Sequence, residues 1–145
     1  MKKLILSLLF LISACTSSAE NKKSKYLVLN DLWEKRSTRS EVTKVLGNDY
    51  VETDSGIMYR YPNSKRPEIG LFFDSSDRLI EQFVFMPEQA LQQFKSAIDC
   101  KWQEAAEKKD IAHYQRIIKK GICPALSISY ETYLDLNAYE VRWKR

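Results

Sequence analysis

Four side chains carry the reactive potential of this sequence: Cys15, Cys100, His113 and Cys123. His113 is the single histidine, and both a general base and a metal ligand need partners. It stands at helical spacing between Ile111-Ala112 and Tyr114, where a helix-surface or half-buried histidine is the simpler account. One histidine and two distant cysteines are too small a set for a zinc site. Cys100 and Cys123 lack the Cys-x-x-Cys spacing that supports redox work. In an oxidising compartment they read first as one disulfide, with two buried thiols or a redox pair as the alternatives. Closing a loop of that length would contribute about 3 kcal/mol. Asp74 and Asp77 flank Ser75-Ser76, but the spacing is not that of an EF-hand and no distant glutamate completes it. Turn formation accounts for these residues without an ion. A glycine-rich phosphate loop and a nucleophile elbow are both missing. The expectation is a chain that is not an enzyme and carries no cofactor and no metal.

Cys15 belongs to a different kind of chemistry. Lys2-Lys3, the apolar run from Leu4 to Ile12 and the small residues Ser13-Ala14 form a secretory signal. The run is too short for a membrane-spanning helix, which needs about 20 apolar residues. Ile12-Ser13-Ala14-Cys15 resembles the lipobox of bacterial lipoproteins. That resemblance implies a diacylglyceryl thioether on Cys15, cleavage before it, and acylation of the new N-terminus. Two or more acyl chains anchor a protein stably. Thr16 is not the Asp associated with inner-membrane retention, so the resemblance points to the outer membrane, periplasmic side.

The expected division is therefore a signal over 1–14 and a flexible tether over 15–25, whose Ser, Thr, Lys, Glu and Asn cannot offset their ordering entropy. Residues 15–145 hold 21 basic and 19 acidic side chains, a net charge of +2. The basic residues are scattered in pairs with no basic–aromatic stripe, which argues against a nucleic-acid partner.

From Tyr26 the sequence must build whatever positions these groups. Tyr26 to Leu29 reads as a strand entering a turn of helix capped near Asn30 or Asp31. Thr38-Arg39-Ser40-Glu41 is a capping box, Val42, Val45 and Leu46 form one apolar face, and Gly47 suits a left-handed cap. Strand periodicity runs from Tyr50 to Phe85, with a turn at 53–56, a loop at Pro62–Pro67 and a turn at 74–78. Within it Leu79, Glu81, Phe83 and Phe85 oppose Ile80, Gln82 and Val84. Pro87 opens a helix buried through Ala90, Leu91, Phe94, Ala97 and Ile98, which Trp102 and Ala105 could continue and which the charged run Glu104 to Asp110 could break. Ile111, Tyr114, Ile117 and Ile118 predict a further helix ending at Lys119-Lys120-Gly121. Strands at Leu126–Tyr130 and Tyr139–Trp143 follow, extending the sheet or forming a hairpin beside it. Arg142-Trp143-Lys144-Arg145 reads first as a frayed strand end, with a headgroup-touching or partner-touching end as the alternative. The fold class is α+β: a short N-terminal helix, an antiparallel meander, then a C-terminal helical layer with two strands packed on it. The modules are 26–86 and 87–145.

A helix capped by Thr38 with Glu41, then Val42, Val45, Leu46 and Gly47, then a meander through Tyr59, Tyr61, Phe73, Asp74, Arg78 and Leu79, resembles the SmpA/OmlA (BamE-like) family. The likeness extends to inhibitor-like, BLIP-type modules and covers about residues 29–85. Arg36-Ser37, Asn48-Asp49 and Asp77 depart from the family pattern. The resemblance implies an outer-membrane lipoprotein with a periplasmic protein-binding domain, serving outer-membrane protein assembly or envelope maintenance. Its partners would be the membrane, through the lipid anchor, and another envelope protein. The alternative is inhibition of an envelope hydrolase such as a lysozyme or β-lactamase, through the solvent face of the meander and the Pro62–Pro67 loop. No partner-binding residue is carried over.

Overall fold

The computed structural model describes residues 23–111, 114–133 and 138–145; Cys15 and His113 lie outside them. Among the described residues the class is α+β, with three α-helices, a 3-10 turn at Pro124–Leu126 and one eight-stranded antiparallel sheet. The helices are α1 (Lys25–Glu34), α2 (Arg39–Leu46) and α3 (Glu88–Ala97). The strands are β1 (Val51–Glu52), β2 (Gly56–Arg60), β3 (Pro67–Phe73), β4 (Leu79–Met86), β5 (Gln103–Ile111), β6 (Tyr114–Cys123), β7 (Ile128–Tyr133) and β8 (Ala138–Lys144). Their spatial order is 1-2-3-4-8-7-6-5, so the last strand in sequence fills the centre beside β4. One sheet thus joins 26–86 to 87–145 through the β4–β8 ladder.

Helix α2 is fixed locally. Glu41 N–H donates to the Thr38 hydroxyl at 3.3 Å and Thr38 N–H donates to Glu41 Oε2 at 2.7 Å, closing the capping box. Gly47 ends the helix at φ 95°, a backbone that L side chains avoid. Val42 enters the core, while Val45, expected beside it, stays exposed. Helix α1 replaces the strand expected at Tyr26–Leu29. Leu29, Leu32 and Trp33 recur at helical spacing and are all buried, so one helical face takes the apolar run into the core.

Alternation along the strands separates two faces. On the helix-covered face a transverse row of paired residues runs Ile57, Leu71, Gln82, Trp143, Ile128 and Cys123. Every member is buried. Trp143 meets Phe94 of α3 edge-on, with centroids 5.5 Å apart, and its indole N–H donates to Asn30 Oδ1 of α1 at 3.1 Å. Gln82 donates to the Leu29 carbonyl at 2.8 Å. The supposed frayed end is the centre of the core, because β8 sits between β4 and β7.

The second half departs most from expectation. Residues 103–111 and 114–123 are strands, paired from Gln103–Ile122 to Ile111–Tyr114, and no helix ends at Gly121. The helical layer after residue 87 is α3 alone among the described residues. Gly121 lies opposite Tyr130, and a Cβ there would fall 2.6 Å from Cζ of the Tyr130 ring. The glycine is the seat for an aromatic ring laid across the sheet. Tyr130 O–H then donates to Glu104 at 2.7 Å, and Glu104 also pairs with Lys95, which draws α3 onto this half. Cys100 and Cys123 stand at disulfide distance, Cα atoms 6.1 Å apart, linking the exit of α3 to the end of β6.

Candidate protein-binding surface

The face of the sheet away from the helices carries a second transverse row. It runs Val51, Met58, Gly70, Phe83, Arg142, Ser129, Ile122 and Gln103, one residue from each strand. At its centre Phe83 crosses Gly70, where a Cβ would fall 2.6 Å from Cζ of the ring. Phe72 and Phe85 flank it, with centroids 6.1 and 5.6 Å away, and the Arg142 guanidinium covers it at 5.2 Å. Phe83 is only 7 % exposed and Phe85 only 5 %, on the face opposite the one that the described helices cover. Arg142 is clamped by Glu81 and by Glu140, the latter at 2.6 Å. Burial works against its charge, but hydrogen bonds and attraction from Glu140 and Glu81 win and hold its pKa above the ordinary value. The apolar ends of the row are open: Val51 is 39 % exposed and Ile122 50 %.

A hollow adjoins each end. One of about 370 Å³ is lined by Ile122, Lys120, Ser129, Glu131, Glu140 and Arg142, among others. The other, about 520 Å³, lies between Asp49–Val51 and the Arg60–Lys65 turn. That turn is tied by Tyr61 N–H to the Arg66 carbonyl at 3.1 Å and Ser64 N–H to the Tyr61 carbonyl at 3.1 Å. Behind the hollow, Tyr50 meets Tyr59 edge-on at 5.9 Å, and Tyr59 O–H donates to the Gly47 carbonyl at 2.7 Å.

Burial, reinforced by Tyr50, pushes the Tyr59 hydroxyl up to about 12 from an ordinary 10.0. Below the unfolded value both states hold the proton. As pH rises from there towards about 12 only the unfolded chain releases it, so stability falls across that window. Tyr59→Phe is expected to cost about 1 kcal/mol at neutral pH through the lost hydrogen bond. It should also make the alkaline loss shallower. Urea unfolding across pH 7 to 12 reads both, and an unchanged alkaline slope would refute the assignment.

The other residues singled out in the sequence do not join this surface. Asp74 Oδ1 accepts from Ser76 and Arg78 N–H at 2.9 and 3.0 Å, and Asp77 has φ 59°. They build a turn. Among the described residues no group of three or more His, Cys, Asp or Glu side chains could hold a metal ion, and no helix is long and apolar enough to cross a membrane. The alternation Glu81, Phe83, Phe85 against Gln82 and Val84 is readable in the sequence. Leu79 leaves the first set because the register shifts against β3 between Phe72 and Phe73, which turns it into the core. What alternation could not reveal is Arg142, which reaches Phe83 only through the β4–β8 pairing.

No family model matches the chain, and comparison with curated proteins and with solved structures gives no match.

Proposed function

We propose that this chain is a non-enzymatic lipoprotein of the bacterial envelope, anchored through Cys15 to the periplasmic side of the outer membrane. In this reading its α+β domain binds another envelope protein and serves outer-membrane protein assembly or envelope maintenance. The observation that carries the binding role is the helix-free sheet face: a packed Phe83–Arg142 centre with open apolar ends at Val51 and Ile122. A rigid centre with accessible apolar contacts and charged neighbours is the usual build of a protein-docking surface. The anchor rests on the Lys2-Lys3 to Cys15 segment, and the assembly role on the SmpA/OmlA likeness.

The test is a photo-crosslinking amino acid placed in cells at Val51 or Ile122, with exposed Val45 on α2 as the control. The expected result is the same envelope protein captured from both sheet positions and not from Val45. Barrel-assembly components among the captured proteins would establish the assembly role; a hydrolase would favour inhibition instead. Absence of any common partner would overturn the binding role. Separately, Cys15→Ala should abolish palmitate labelling and release the protein from membranes. Persistent detergent-sensitive attachment would refute the anchor.

A further inference from the structure

Resting on that protein-binding reading, we infer that the hollow beside β2 receives an extended segment of the partner carrying an acidic side chain. The first observation is an open strand edge. Among the described residues β1 pairs with β2 only at Val51–Met58 and Glu52–Ile57, and none of their strands continues along β2 past Met58 on that side. The Gly56 carbonyl accepts from Thr53 N–H on the β1 side. Alternation turns the Met58 backbone groups the same way; the register against β3 shifts between Tyr59 and Arg60, with the extra residue on β3, so Arg60 keeps that orientation. Tyr61 agrees, since its N–H points oppositely, to the Arg66 carbonyl. Arg60 thus offers an N–H and a C=O to an incoming backbone, the basis of recognition by strand addition.

The second observation is charge. Arg60 and Lys65 line the hollow, and among the described residues neither has an ion-pair partner. Nearby basic groups are already engaged: Lys25 with Glu68, and Arg39 with Glu52 and Asp77. Among the described residues Asp49 is the single carboxylate of the lining, against Arg60 and Lys65, so these side chains leave one excess positive charge. Tyr50, Met58, Tyr61 and Pro62 supply apolar walls for the neighbouring side chains of the segment. The opposite edge of the sheet is a poorer site, because β5 reads Gln-Glu-Ala-Ala-Glu-Lys-Lys-Asp-Ile. Mixed charge along an edge discourages strand addition.

The experiment selects random peptides displayed on phage against the detergent-solubilised full chain. One enriched peptide is then synthesised and its binding measured by fluorescence anisotropy. The expected winners carry Asp or Glu within an otherwise apolar stretch. Arg60→Glu and Lys65→Glu should each weaken binding by about tenfold, and the peptide's acid-to-amide replacement by a similar factor. Methylating one backbone nitrogen of the peptide should abolish binding while methylating its neighbour leaves it intact, as an alternating edge ladder requires. Both substituted residues are exposed, and unchanged thermal unfolding verifies the fold. Failure to enrich peptides, enrichment without acidic residues, or indifference to both substitutions would overturn the inference. If that happens while Val51 and Ile122 still crosslink one partner, only the edge site falls and the broader reading stands.

Discussion

Trp143→Ala is expected to lower the unfolding free energy by about 3–5 kcal/mol, the range for deleting a large buried aromatic. Trp143 is fully buried on the central strand and fills the space between β4, β7, α1 and α3. Its loss removes the edge-on contact with Phe94 and strips Asn30 Oδ1 of its donor. Asn30 is itself buried, so its orphaned oxygen adds about 1–3 kcal/mol to the cost of the cavity. Trp143→Phe separates the two contributions, because it keeps most of the packing and loses only the N–H. Chemical denaturation followed by far-UV circular dichroism gives both values without relying on Trp143 fluorescence. A loss below about 1 kcal/mol for the alanine variant would mean that this strand end is frayed.

The second large effect is expected at Cys100 and Cys123. Replacing both with alanine should cost about 3 kcal/mol, the entropy of a closed loop spanning this separation. The sequence separation is 23 residues, and that loop contains the whole of β5 and most of β6. Cys123 is fully buried against the core, so part of the loss is packing. Thermal unfolding with and without reductant should reproduce the difference in the native protein and show none in the double variant. Alkylation under denaturing, non-reducing conditions provides the independent check. Two free thiols on the native protein would remove the bridge from the account.

How much of this was legible depends on how local each signal is. The Thr38–Glu41 box and Gly47 need only neighbours in sequence, and their geometry agrees with the reading. The alternation from Tyr50 to Phe85 likewise locates strands, since hairpin partners are near. The last two strands were also placed, though not their position at the centre. Tyr26–Trp33 misled because six apolar residues in a short span resemble a strand, while a helix buries Leu29, Leu32 and Trp33 and leaves Tyr26, Leu27 and Val28 half-buried against the same core. Residues 111–121 misled for the opposite reason. Ile111, Tyr114, Ile117 and Ile118 recur at helical spacing, and pairing of β6 with β5 and β7 overrides that local pattern. The candidate surface was half legible. Phe83 and Phe85 could be assigned to one face, but the Arg142 lid and the Glu140 clamp arise from a pairing between distant segments.

The strand order also imposes a schedule on biosynthesis. β8 follows the other seven strands in the chain yet pairs with β4, so the sheet stays divided until residues 138–144 have been delivered to it. Until then the β4 edge, Leu-Ile-Glu-Gln-Phe-Val-Phe-Met, is bare and apolar on both faces. Such an edge is a template for unwanted pairing with another nascent chain. Bringing Tyr139 to Met86 closes a long loop, a step expected to slow folding and lengthen the exposure of that edge. A chain truncated before Ala138 would lose Trp143 and Val141 from the core as well as the β4–β8 ladder, and is expected to aggregate through the exposed β4 edge.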